Sequence, residues 1–438
     1  MSSAEAPPEE PGAAVRKPVG AGAHAGRRAR PVVTVVVLAA VAVAAVGVSR
    51  LGGDPAPKAA RPTLPSGPLA SSRAAATEAV LRRQADSLAN RDRTSYLAVW
   101  DRSDAARHLA TLTYTNLLRL GVTRISPRLS LETVRDGGST WTAQVDVTWG
   151  LRGLGSATAT SALRYTFADV AGHDLISTVA AVPGDREPVW LLPSLDVRQG
   201  PRTLVVATNP ESAVRVERLL RQAVTAVGEV LPRWHGDLVA YAPGSASQFA
   251  ALIAASPGQY RGIAAVTITV DGSRDASAAT AIVVNPPVFD GLGPVGAHVV
   301  VTHEATHVAT HAAAVSMPLW VAEGFADYVG IGSVDLPVAV AAKAALHVVR
   351  REGPPDALPD DAAFTLDGAG LEATYEEAWL ATSLIARTYG QQRLVAFYRT
   401  VETHPDDLAR AFERILHTSV PVFTAAWRSY LQESAGAG

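Results

Sequence analysis

Residues 301–311 read VTHEATHVATH, and residues 318–328 read PLWVAEGFADY. The first stretch places His303, Glu304 and His307 in the order H-E-x-x-H. Glu323 follows His307 by sixteen positions, and Asp327 follows Glu323 by four. On a helix, residues four apart lie about 40° apart around the axis and about 6 Å along it. His303 and His307 can therefore aim two imidazoles at one cation, at zinc–nitrogen distances of about 2.0–2.1 Å. Glu304 stands beside that pair, where a general base for bound water belongs. A catalytic zinc takes three protein ligands and keeps a fourth position open. Glu323 is the natural third ligand. Asp327, one turn further on, is placed to accept the free N–H of a ligand histidine and fix its tautomer. Glu323 and Asp327 share a helix face, where two carboxylates repel each other unless each has a partner. His311 lies about 12 Å along the helix from His303, too far to hold the same ion. It reads as a neighbour of the site or a partly exposed residue, and His298 as a residue of the helix start. The spacing predicts a metal helix over about residues 297–315, with Gly296 before it and Pro318 turning the chain after it.

The two stretches resemble the gluzincin branch of zinc metallopeptidases, the broad group that includes thermolysin-like enzymes and the large zinc aminopeptidases. The likeness is strongest to peptidase-MA-like proteins, in which W-x-x-E-G-x-A-x-Y follows the H-E-x-x-H helix; here it reads WVAEGFADY. It covers roughly the last half of the chain. The resemblance implies zinc held by His303, His307 and Glu323, with Glu304 as catalytic base and Asp327 supporting the first histidine. It implies a peptide or protein substrate, whose backbone would pair with an edge strand beside the zinc helix. Ala281 to Val284 is the segment expected to be that strand, with an ordinary core strand as the alternative. Tyr375 is the candidate for a phenol that stabilises the developing oxyanion, as a tyrosine does in several enzymes resembling this one; Tyr328 is a weaker one. There are departures. The aminopeptidase motif G-A-M-E-N is absent and the interval to the glutamate is shorter, so aminopeptidase specificity is not implied. The metzincin pattern H-E-x-x-H-x-x-G-x-x-H also fails.

Working outward, 48% hydrophobic and 18% charged residues with a net charge of −2 describe a globular chain with no sign of a nucleic-acid partner. The absence of cysteine excludes disulfides, thiol chemistry and zinc fingers. Residues 1–30 are rich in Ala, Gly, Pro and Glu and read as a disordered cytoplasmic segment. Residues 31–49 carry no charge and are just long enough to span a bilayer. Arg27, Arg28 and Arg30 precede them and Arg50 follows, which puts the N-terminus inside and everything after Arg50 outside. We read this segment as a single-pass signal anchor, with secretion after signal cleavage as the alternative. Residues 50–71 form a Pro/Gly linker.

Two folded units are expected beyond the linker. Residues 72–197 begin with helical spacing, placing Ala75, Val80, Leu81, Ala85, Leu88 and Ala89 near one face, with a second helix over Asp104–Leu120. They continue in alternating segments: RLSLETV, WTAQVDVTW, ATSALRYTF, LISTVAAV and VWLLPSLDV. Helices followed by a meander describe an α+β domain whose architecture resembles nuclear-transport-factor-like or cystatin-like domains; that likeness implies no activity. Residues 203–433 are the gluzincin-like unit, with strands TLVVAT and DLVAYAP, a paired AAVTITV and TAIVVNPP, and a helical C-terminal part. The whole is an α+β, membrane-anchored, two-domain chain. The expected function is an extracytoplasmic zinc-dependent metallopeptidase with one Zn²⁺ per chain. The alternative is a non-catalytic cell-envelope binding module with a structural or relic zinc site; a binding role for residues 72–197 would require a ligand-sized pocket lined by polar groups.

Overall fold

The computed structural model describes residues 68–437 apart from 123, 137, 152–157, 257, 276 and 366–369. The expected anchor at residues 31–49 lies outside the described residues, as does most of the linker. Among the described residues no helix is long and apolar enough to cross a membrane. The architecture is mixed α+β with two sheets.

The first half opens with three helices: α1 (Pro68–Ala89), α2 (Arg93–Ala98) and α3 (Asp104–Arg119). Short side-chain caps start the latter two. The Asp92 carboxylate accepts from Ser95 N and the Ser103 hydroxyl from Ala106 N, each satisfying a donor that a helix start leaves over. Four antiparallel strands follow in meander order, β1 (Ile125–Asp136), β2 (Thr140–Gly150), β3 (Thr158–Val170) and β4 (His173–Ala181). Strict alternation of buried and exposed residues along β2 and β3 turns one face onto the helices. On α1, Val80, Leu81 and Leu88 are buried as the spacing predicts, but Ala75 and Ala89 are exposed. Thr77, Gln84 and Ser87 occupy the buried face with them because partners await them there: Trp141 Nε1 donates to Thr77 at 3.0 Å and Gln84 Nε2 to Tyr96 at 3.3 Å.

The segment VWLLPSLDV, read as one strand, divides. Residues 189–191 form a 3₁₀ turn, and only from Asp196 does a strand begin. That strand, β5 (Asp196–Gly200), pairs with β6 (Thr203–Ala207) of the second sheet. The second sheet therefore starts before the residue at which the expected first unit ends. It continues through α4 (Pro210–Val230), β7 (Leu238–Ala242), α5 (Ala246–Ile253), β8 (Ala265–Thr269) and β9 (Thr280–Val284). Its order is β5-β6-β7-β9-β8, with β6, β7 and β9 parallel and β5 and β8 antiparallel to their neighbours. Ala281–Val284 is thus not an edge strand: β9 pairs with β7 on one side and β8 on the other, so β8 is the last strand.

All-helical chain follows: α6 (Pro286–Phe289), α7 (Pro294–Ala309), α8 (Leu319–Gly332), α9 (Val338–Ala341), α10 (Lys343–Glu352), α11 (Leu371–Tyr389), α12 (Gln391–Thr403), α13 (Leu408–Ala411) and α14 (Val420–Gly436). The strands of the second sheet alternate between two cores. Val205, Ala240, Ala265 and Ile282 face α4, α7 and the C-terminal helices. Val206, Tyr241, Val266 and Val283 join Trp141, Phe167 and Leu81 of the first half in the other core.

Candidate metal centre

Residues 299–309 of α7 are buried throughout. A helix apolar or closed on every side belongs to an interior, and α7 lies between β8 and β9, α4 and α8. The helix ends at Ala309, earlier than predicted. His311 adopts the left-handed conformation at φ 52° and is exposed, so it takes no part in the centre. His298 contacts Ser333 Oγ at 2.9 Å, away from the other histidines.

Two glycines bring α8 close enough to matter. A Cβ at Gly330 would stand 2.9 Å from Val299 O on α7, and one at Gly324 would stand 2.4 Å from Ala378 O on α11. Neither contact tolerates a side chain, so α8 is wedged between its neighbours at backbone distance. Thr382 Oγ1 fixes the second contact by donating to Gly324 O at 2.7 Å.

This packing delivers the side chains of α8 to those of α7. His303 Nε2 and His307 Nε2 are 2.8 Å apart. Glu323 Oε2 lies 3.2 Å from the first and 3.4 Å from the second. Four-coordinate zinc with bonds of about 2.0–2.1 Å separates neighbouring ligand atoms by roughly 3.3 Å, close to this triangle. On the outer side of His303, Asp327 Oδ1 lies 2.7 Å from Nδ1. An N–H at Nδ1 leaves the lone pair of Nε2 facing His307 and Glu323, the arrangement a metal ligand requires. His303, His307 and Glu323 form a buried group that could hold a metal ion.

The donor set fits a cation on a further ground. Glu323 Oε2, the atom that faces both imidazole nitrogens, is buried with no hydrogen-bond partner, which costs free energy that a bound charge would offset. The electrostatics agree. Burial opposes a charge on His303, but Asp327 and Glu323 outweigh it and lift its pKa to about 10. Burial also opposes the Glu323 carboxylate; the two imidazoles prevail and hold it down at about 2. Glu304 goes the other way, pushed up chiefly by burial.

Glu304 lies about 60–100° around α7 from the two histidines, and Thr267 on β8 donates to its Oε2 at 2.6 Å. Sequence reasoning missed Thr267. Its only signal was the alternation of AAVTITV, which puts Thr267 and Thr269 on the face that β8 turns to the helices. Tyr375 on α11 is buried. Burial first, then the carboxylates of Glu323, Asp327 and Glu304, hold its phenol well above the ordinary value, which keeps it protonated. Tyr328 is elsewhere, donating to Gln391 at 3.0 Å.

In the first half, a cavity of about 1000 Å³ opens between α1, α2, α3 and the β3–β4 turn. Arg83, Arg107, Asp86 and His173 line it, with Leu97 and Trp100 among its apolar residues. A pocket of ligand size, lined by both charged and apolar side chains, lies in this region.

No protein-family model matches this chain, and no curated protein or solved structure is significantly similar to it.

Proposed function

We propose that this protein is a zinc-dependent metallopeptidase of gluzincin type, held at the cell membrane by residues 31–49 with its folded part outside. The reading is carried by one observation: two imidazoles and a carboxylate converge within 3.4 Å, with a second carboxylate, Glu304, on the same helix as the imidazoles. A pure scaffold has no use for that second acid.

His303, His307 and Glu323 would hold the ion, and Asp327 would fix His303 in the ligating tautomer. When bound, zinc lowers the pKa of water to about 7 and polarises a carbonyl. Glu304 accepts the proton as water attacks the scissile carbonyl, then delivers it to the departing amine. Tyr375, protonated across the working pH range, offers its hydroxyl to the oxyanion. An extended substrate would add to β8, the last strand of the sheet.

The test is elemental analysis and turnover of the chain from about Arg73, screened against a quenched-fluorescence peptide library. We expect about one zinc per chain, lost in His307→Ala. Glu304→Gln should keep the zinc and lose about 10²–10⁴-fold in turnover. Full turnover in Glu304→Gln would sink the assignment. A wild type that takes up no zinc would instead favour a binding module, with the first-half cavity as its seat.

A further inference from the structure

We propose that Thr267 is a positioning residue that clamps the catalytic base Glu304 from the sheet, leaving one carboxylate oxygen for the substrate side. The inference rests on the peptidase reading above and adds to it a residue from outside both sequence motifs.

Thr267 is fully buried in the middle of β8, with Ile282 of β9 opposite it in the antiparallel register. Its hydroxyl is 2.6 Å from Glu304 Oε2 and 3.1 Å from the main-chain oxygen of the same residue. A hydroxyl has one proton, and the 2.6 Å contact to a carboxylate oxygen has the length of a charge-assisted bond. The other oxygen, Oε1, is buried and has no partner. The carboxylate is therefore held by one oxygen while the other remains able to accept a proton.

The residue type suits the task. A glutamate turns about three side-chain bonds, and in a closed interior each orientation lost to wandering removes the base from its proton. Threonine is β-branched and stiff at χ1, and a strand paired by backbone hydrogen bonds gives it a rigid footing. Valine has nearly the same shape without the donor. Serine keeps the donor without the stiffening methyl group.

The experiment compares Thr267→Val, Thr267→Ser and wild type, zinc-loaded, on a peptide the wild type cleaves. Misplacing a reacting group by about 1 Å costs up to about 100-fold, so we expect kcat in Thr267→Val to fall by about 10–100-fold. KM and zinc content should stay within about twofold, and Thr267→Ser should recover to within about threefold of wild type. Placed on Glu304→Gln, Thr267→Val should cause no further loss, because the clamp then has no base to hold. Unchanged kcat in folded Thr267→Val, or a full additional loss on Glu304→Gln, overturns the proposal. Should Thr267→Val fail to fold, Thr267→Ala against Thr267→Ser reads the same difference. If the zinc-loaded wild type cleaves no peptide at all, the peptidase reading fails separately. Crystal structures then decide the clamp: Glu304 turned or split between conformers in Thr267→Val supports it, and an unmoved Glu304 ends it.

Discussion

The two halves of this protein bury polar groups in opposite ways. In the first half, several interior hydrogen-bonding groups meet a partner of the other kind, although the indole nitrogens of Trp100 and Trp190 meet none. Trp141 donates to Thr77, Trp149 to Ser161, and the Asn116 amide to the carbonyls of Trp190 and Leu192. Between α7 and α8, two imidazole nitrogens stand 2.8 Å apart, and oxygens of the buried Glu323 and Glu304 have no partner even though Asp327 and Thr267 each supply one contact. A matched interior specifies a shape and asks for nothing more. A mismatched one is costly as it stands, and a dication at its centre would offset that cost. The contrast singles out the buried polar groups on which the proposed metal centre rests.

The widest test of that contrast is thermal stability with zinc and with chelator. An ion that binds only the folded chain stabilises it by about 4 kcal/mol at a thousandfold excess over Kd. A Tm that rises with zinc in wild type and stays flat in His307→Ala is the expected result; equal curves would erase the difference between the halves. A second test uses Glu376, whose carboxylate accepts from Ala345 N at 2.7 Å and starts α10. Burial pushes its pKa up to about 8, against 4.5 for an ordinary glutamate. Between these values the folded chain keeps a proton that the unfolded chain has released, so stability falls as pH rises from about 4.5 to 8. The span is on the order of 5 kcal/mol, and denaturant titrations at several pH values should show it shrinking in Glu376→Gln. The smallest effect belongs to the matched interior. Thr77→Val strands the buried Trp141 N–H and should cost about 1–2 kcal/mol, with zinc content unchanged.

Much of the site could be read from two short stretches because metal ligation imposes helical arithmetic on the sequence. His303 and His307 are four apart, and so are Glu323 and Asp327. What brings the two pairs together is written more faintly. Gly324 and Gly330 look like ordinary helix glycines until the positions of Ala378 and Val299 are known. Thr267 is invisible to motif reading because its meaning depends on strand order. The same dependence on strand order decides Ala281–Val284, where the sequence leaves an edge strand and an ordinary core strand both open and the core strand is found. Two strongly β-branched segments look alike as sequence, and only the crossover that sets β9 beside β7 decides which of them is outermost. In the first half the alternation of β1 to β4 was plain, whereas the polar residues on the inner face of α1 were not. Apolar periodicity cannot foresee a buried threonine whose partner lies 64 residues away.

Along β8, neighbouring residues belong to different interiors. Thr267 donates to Glu304 of the candidate site, while Val266 and Ile268 lie in the core shared with the first half. The front of the chain is therefore the missing cover of a sheet whose other cover is the α7 layer. Cut at 200–203, the rear portion would keep only Phe249, Leu252, Ile253 and their neighbours over this face and would turn apolar residues such as Leu204, Val206 and Val266 toward water, a surface that sticks rather than dissolves. In genetic terms the two halves are not interchangeable cassettes. A descendant that gives up the front half would have to repaint that face with polar residues.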